Sequence, residues 1–209
     1  MSNRPLFIPE DVAAYSLNAL LRTQKNYASW TEGWLLCKAP EYLLTVYVAE
    51  AIYKKYGRGA VSLEAPVQYL RYWAWEGGER RGGNFKRSNG RCDVVLWNRN
   101  NKHRPEGIIE IKSNSSRKGI TRDIERICKL LSRKTNSLRF GLVVYYYSYH
   151  EMSGSRKTGR EGILGYNNGL EKDCEIFKRN HQIKYFNKNI WFNRAEKVAW
   201  TVGAILIKR

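Results

Sequence analysis

The stretch Gly90–Asn114 contains three side chains that together could perform chemistry: Asp93, Glu110 and Lys112. Two runs of β-branched and large apolar residues within it flank a polar segment with the composition of a turn, which predicts a β-hairpin. Because side chains alternate faces along a strand, Glu110 and Lys112 share one face, and closing the hairpin brings Asp93 beside Glu110. Two neighbouring carboxylates repel each other, and a divalent cation would relieve that repulsion.

The oxygen ligands of such a site favour Mg²⁺ or Mn²⁺ over zinc. Lys112, on the same face as Glu110, can reach a phosphate group or a water molecule held by the cation. The three residues therefore indicate a site that hydrolyses phosphodiester bonds. The alternative is a surface hairpin with a capping aspartate and a solvated Glu–Lys pair.

The order of Asp93, a turn and then Glu110-Ile111-Lys112 resembles the signature of the PD-(D/E)XK nuclease superfamily, which has the restriction-endonuclease-like fold. Cys92 stands where that family has a proline. The resemblance covers residues 41–147, roughly half of the chain, and implies a mixed β-sheet flanked by helices.

The resemblance also implies a role for each of these residues. Asp93 and Glu110 would bind Mg²⁺ (or Mn²⁺), and the backbone carbonyl of Ile111 would be a further ligand. Lys112 would orient or deprotonate the attacking water, or stabilise negative charge on the phosphorane.

A fourth candidate lies on a helix predicted over residues 40–56, before the first strand. Glu41 shares a face with Leu44 and Val48, so it lies at the N-terminal tip of a core-facing stripe. In the resembled family a glutamate on this helix often completes the metal site, and Glu41 matches that position. The alternative for Glu41 is an acid that interacts with the helix dipole. Glu50, on another face, is the second choice for this role.

The overall charge points to a polyanionic partner. Lys and Arg number 37 against 19 Asp and Glu, which gives a net charge of +18. DNA is the first candidate and an anionic membrane surface the second, although charge alone also suits solubility or association with ribosomes. With 209 residues, 43% of them hydrophobic, the chain is expected to form one globular domain with a sizeable core.

Glycine-rich basic segments at 76–89 and 148–168, and the connection at 113–118, are expected to be loops that contact phosphates. Their glycines do not have the spacing of a nucleotide-binding loop. A solvated loop is the alternative in each case. The candidate nucleic-acid-binding residues are Arg80, Arg81, Lys86, Arg87, Arg117, Lys118, Arg156 and Lys157.

The sequence predicts an α/β fold, with a central mixed sheet flanked by helices and an N-terminal helical extension. One domain spans 1–209, with the extension at 1–38, a catalytic core at 39–150, and a basic loop with a closing helix and strand at 151–209. The expected helices are 9–24, 40–56, 120–131 and 170–180, and the expected strands are 61–67, 69–75, 94–97, 108–111, 139–147 and 197–208. A helix between two buried strands indicates a βαβ crossover. The basic residues of the 120–131 helix, including Arg126, are expected on its exposed face or to keep it solvated.

The four cysteines lack zinc-ligand spacing and are expected to be buried free thiols in a reducing compartment. No stretch approaches the roughly 20 apolar residues of a membrane span, so we expect a cytoplasmic protein, associated with the nucleoid when bound to DNA. The function indicated is a Mg²⁺-dependent DNA endonuclease. The alternatives are a non-cleaving nucleic-acid-binding protein with the same fold and, with less support, a basic protein of the ribosome or membrane surface. Cutting both DNA strands would favour a homodimer.

Overall fold

The computed structural model describes residues 6–74, 90–98, 104–132, 137–151, 158–187, 190–193 and 197–209. The α-helices are α1 (Pro9–Trp30), α2 (Glu41–Tyr56), α3 (Val67–Ala74), α4 (Arg117–Leu131) and α5 (Gly159–Cys174). Two short 3₁₀ helices span Leu36–Lys38 and Glu175–Arg179. The strands are β1 (Val61–Pro66), β2 (Arg91–Asn98), β3 (Arg104–Ser113), β4 (Phe140–His150), β5 (Gln182–Asn187), β6 (Trp191–Asn193) and β7 (Val198–Lys208).

The described strands form one mixed sheet in the order β1-β2-β3-β4-β7-β5, with β6 also paired to β7. β1, β2 and β3 are antiparallel neighbours, whereas β3 and β4 are parallel and joined through α4. The predicted α/β class, the β2–β3 hairpin and the βαβ crossover are therefore confirmed. The closing strand, β7, lies inside the sheet, antiparallel to β4.

Helices cover both faces of the sheet. α1 and α2 pack on one face, where Leu20 and Val48 belong to the same buried cluster as Val144 of β4. α3, α4 and α5 pack on the other face, where Ile124 belongs to a second buried cluster with Val143 of the same strand. β4 is consequently buried on both sides, as its continuous apolar sequence predicts.

Two sequence-based predictions in this architecture are wrong. Residues 67–74 form helix α3 rather than an extension of the sheet, because Val67, Leu70 and Ala74 recur at helical spacing and are buried, while Tyr69 is exposed. The predicted loop at 148–168 is, in its described part, the end of β4 and most of α5. Thr158 begins α5 through a capping box with Glu161.

The cysteines, the first helix and the length of the helices bear on the other sequence-based predictions. All four cysteines are free, with Cys92, Cys128 and Cys174 buried and Cys37 partly buried. α1 contributes to the core beside α2. Of the helices in the described ranges, none is long and apolar enough to cross a bilayer.

Candidate active site

The hairpin brings Asp93 against the backbone of the neighbouring strand. Val94 pairs with Ile109, and one residue further along, the Asp93 Oδ2 atom accepts a hydrogen bond from the Ile111 N–H at 2.7 Å. Across β1, the register places Glu64 opposite Asp93, at a backbone φ of 51° that is uncommon for a residue other than glycine. Burial raises the pKa of Asp93 above its ordinary value, against the opposing effects of the Ile111 N–H and the Lys112 charge.

Glu41 lies at the same end of the hairpin. From the first turn of α2 its Oε2 atom accepts a hydrogen bond from the Ser113 N–H at 3.0 Å, and its Oε1 atom lies 3.3 Å from Lys112 Nζ. Glu50 points elsewhere and pairs with Arg22 at 2.9 Å. Of the two glutamates considered for the site, the structure brings only Glu41 to β3.

Lys112 lies between two carboxylates that come from opposite layers. Its Nζ atom is 3.3 Å from Glu41 on α2 and 3.5 Å from Asp123 Oδ2 on α4. Burial alone would lower the pKa of Lys112, but the charges of Asp123, Glu41 and Asp93 outweigh it and hold the pKa above its ordinary value. Lys112 is therefore a firmly protonated cation in this arrangement.

Glu110 is the most buried acid of the group, with only 1% of its surface exposed. Its Oε2 atom lies 2.5 Å from Arg126 Nη2 on α4. Its Oε1 atom, which we call the open oxygen, meets the geometric criteria of no hydrogen bond among the described residues, and the Cys92 thiol, whose pKa burial and Glu110 raise, lies beside the same carboxyl group. Burial raises the pKa of Glu110 to about 8, against the opposing effect of Arg126 and with further upward contributions from Asp93 and Asp123. A carboxyl group held this way is costly to ionise unless more positive charge arrives.

Asp123 and Arg126 belong to the site although the sequence did not indicate them. They are one turn apart on α4, with Arg126 Nη2 3.2 Å from Asp123 Oδ1. The expectation that Arg126 lies on an exposed basic face is wrong, because α4 packs on the sheet through Ile124 and Ile127 and turns the flanking charges toward β3. The sequence did contain one signal for this pair: Asp123 and Arg126 have opposite charges at positions i and i+3, beside the apolar stripe of α4.

The arrangement is a chain of alternating charges that runs Glu110, Arg126, Asp123, Lys112, Glu41. Within the described ranges, no three His, Cys, Asp or Glu side chains converge closely enough to hold a metal ion. Asp93 and Glu110 are neighbours through the hairpin, but Glu110 turns to Arg126. The donors available are carboxylate oxygens, which suit Mg²⁺ or Mn²⁺, and the open oxygen is a buried atom that such a cation would satisfy.

The candidate phosphate contacts are only partly described. Arg117 and Lys118 are exposed in the first turn of α4, and Arg117 lies 3.4 Å from Asp173. The other candidates, Arg80, Arg81, Lys86, Arg87, Arg156 and Lys157, lie outside the described residues.

No model of a known protein family matches this chain, and comparison with curated proteins gives no match. Any functional inference therefore depends on the geometry of the site and on the sequence pattern that it contains.

Proposed function

We propose that this chain is a metal-dependent endonuclease that hydrolyses phosphodiester bonds in DNA, with a restriction-endonuclease-like fold of the PD-(D/E)XK type. The observation that carries the proposal is the buried Glu110 carboxylate with its open oxygen, at the point of the hairpin where Asp93 also lies. Buried carboxylate oxygens without a hydrogen-bond donor are rare because they cost free energy, and Arg126 pairs only with the other oxygen of Glu110. A chain of net charge +18 that binds a polyanion has no evident use for them unless a cation completes the site.

The architecture supports the finer assignment of the fold. The resemblance implies a mixed sheet flanked by helices, with the acids on a hairpin and a further glutamate on the helix before the first strand. α2 precedes β1 and carries Glu41 to the end of β3, and the β2–β3 hairpin carries Asp93 and Glu110. These positions are those that the resembled family would require.

In the proposed mechanism, Asp93 and Glu110 would hold Mg²⁺ (or Mn²⁺), and the Ile111 carbonyl and Glu41 would be further ligands. The cation, when bound, would supply Lewis-acid stabilisation of charge on the phosphate. Lys112, which contacts Glu41 and Asp123, would orient or deprotonate the attacking water, or stabilise negative charge on the phosphorane.

DNA is the proposed substrate because of the charge excess, and Arg117 and Lys118 are the described candidates for phosphate contacts. They are the first two residues of α4, which begins shortly after β3, the strand that carries Lys112. A DNA backbone bound to them would therefore pass close to the site. Binding of this kind weakens steeply with salt. A homodimer would supply two such sites for a duplex.

The test is a cleavage assay on supercoiled and linear DNA with Mg²⁺, with Mn²⁺ and with EDTA. We expect metal-dependent cleavage that Asp93→Ala and Lys112→Ala abolish while DNA binding, measured by fluorescence anisotropy, persists. Lys129→Ala is the matched control, because Lys129 lies on the exposed side of α4 and pairs only with Glu125 among the contacts described. Cleavage that continues in Asp93→Ala would contradict the proposal.

A second candidate is a nucleic-acid-binding protein that has this fold without cleaving. It is favoured by the chain of alternating charges, in which Lys112 and Arg126 already offset Glu41, Glu110 and Asp123 without a metal ion. DNA binding that is equal in EDTA and in Mg²⁺, with no cleavage in either, would establish this second function.

A further inference from the structure

Two charged residues of α4 face two residues of opposite charge on β3. Glu110 and Lys112 lie two apart on one face of the strand, and Arg126 and Asp123 lie three apart on the helix above it. Arg126 lies 2.5 Å from Glu110, and Asp123 lies 3.5 Å from Lys112. Each of the two strand residues therefore has its own counter-charge on the helix.

The guanidinium of Arg126 is held less completely than a purely structural arginine would be. An arginine offers five N–H donors in a planar fork, which pairs best with both oxygens of a carboxylate. Here the same Nη2 atom forms the ion pairs with both Glu110 and Asp123. The Nε atom is buried without a hydrogen-bond partner in the described part of the chain. Arg126 Nη1 also lies close to Gly90, where an added Cβ would be 3.2 Å away.

Glu110 is incompletely satisfied on its side of the same pair, because only Oε2 meets Arg126. A carboxylate that faces α4 in this way cannot also present both oxygens to a cation beside Asp93. Arg126, in contrast, has a second acid in reach, since Asp123 Oδ1 lies 3.2 Å from the same Nη2 atom. If the Glu110 side chain turns away from Arg126, the guanidinium remains paired with Asp123.

We propose that Arg126 is a positioning residue that competes with the divalent cation for Glu110 and so sets how tightly the site holds that cation. The inference rests on the proposed function, because it takes Glu110 as a ligand. Without the cation, Glu110 lies against Arg126 and faces α4. With the cation, Glu110 turns toward Asp93 and Arg126 remains paired with Asp123.

The experiment is isothermal titration of Mn²⁺ into the full chain, without DNA and at one pH, for the unmodified protein, Arg126→Met and Arg126→Lys. We expect Arg126→Met to bind Mn²⁺ about tenfold more tightly, a difference of about 1.4 kcal/mol. Arg126→Lys keeps the charge and should stay within about threefold of the unmodified protein. Arg122→Met is the matched control, because Arg122 is an exposed arginine on the same helix, and its affinity should be unchanged.

Mn²⁺ affinity in Arg126→Met that equals or falls below that of the unmodified protein would overturn the inference. Asp93→Ala shows whether the further inference or the proposed function has failed. If Mn²⁺ binds equally well to Asp93→Ala and to the unmodified protein, or binds to neither, the proposed metal site is absent. Because Arg126→Met could fold poorly, the side-chain ¹⁵N resonances of Arg126 in the unmodified protein provide a second measurement. They should shift with Mg²⁺ at the concentration that saturates the site, and resonances that stay in place would also overturn the inference.

Discussion

Strand β3 carries two buried glutamates, and each faces an arginine from outside its own hairpin. Glu106 is 3% exposed and its Oε1 atom lies 2.5 Å from Arg139 Nη1; Glu110 is 1% exposed and its Oε2 atom lies 2.5 Å from Arg126 Nη2. By burial and by ion pairing the two residues are nearly the same. They differ in what their second oxygen does.

The second oxygen of Glu106 is fully used. Its Oε2 atom accepts hydrogen bonds from Asn98 Nδ2 at 2.8 Å and from the Leu6 N–H at 3.1 Å. Glu106 therefore ties the N-terminal segment, β2 and the start of β4 together. The corresponding atom of Glu110 is the open oxygen. The comparison teaches that burial and a salt bridge alone do not separate the two acids, whereas the unpartnered oxygen does, and this is why we propose a functional role for Glu110 and not for Glu106.

The largest expected difference is in activity. Glu110→Gln removes the charge that the proposed cation needs and should lower metal-dependent cleavage by at least about 10²-fold, the scale of losing one group that stabilises transition-state charge. Glu106→Gln changes the same strand by the same substitution and should keep its activity per folded molecule. The measurement is initial cleavage rate, normalised to folded protein by circular dichroism. Equal losses in both variants would remove the distinction.

Stability should show the reverse order. Glu106→Gln places an amide where three donors converge, so at least one of them loses its acceptor, and we expect a loss of about 3 kcal/mol in the free energy of unfolding. Glu110→Gln removes a carboxyl group that burial penalises, so stability in EDTA should change little or rise. Urea unfolding of both variants measures this. A loss in Glu110→Gln as large as in Glu106→Gln would make Glu110 a structural acid too.

The pH dependence of stability sharpens the comparison further. Because the folded-state pKa of Glu110 is raised to about 8 from an ordinary 4.5, the folded state holds this proton more tightly than the unfolded state. Its contribution is complete below pH 4.5 and is lost as the pH rises toward 8. In EDTA, the unmodified protein should lose on the order of 4 kcal/mol relative to Glu110→Gln over that window. Parallel stability curves from urea unfolding at pH 5 and pH 8 would contradict the prediction.

The sequence predicted those parts of the site that depend on local periodicity. Alternation along a strand placed Glu110 and Lys112 on one face, and the helical stripe of α2 placed Glu41 at the tip that meets β3. Periodicity could not identify Arg126, because a charge beside an apolar stripe faces either solvent or a neighbouring layer, and only the packing of α4 on the sheet decides between them. The same limit applies to Glu106, whose donors come from segments distant in the sequence.

The smallest expected effect tests the same distinction on α2, where Glu41 and Glu50 are both partly exposed and both paired with cations. Glu41→Gln should lower cleavage about tenfold, because Glu41 also accepts the Ser113 N–H and sets the position of Lys112. Glu50→Gln breaks only surface pairs with Arg22 and Lys54 and should change cleavage less than twofold and stability by less than about 1 kcal/mol. Cleavage rates for the two variants, compared at saturating Mg²⁺, measure the difference. Glu50 differs from Glu41 chiefly in pointing away from β3. Equal losses of activity in the two variants would therefore show that contact with β3 is not the reason why Glu41 matters.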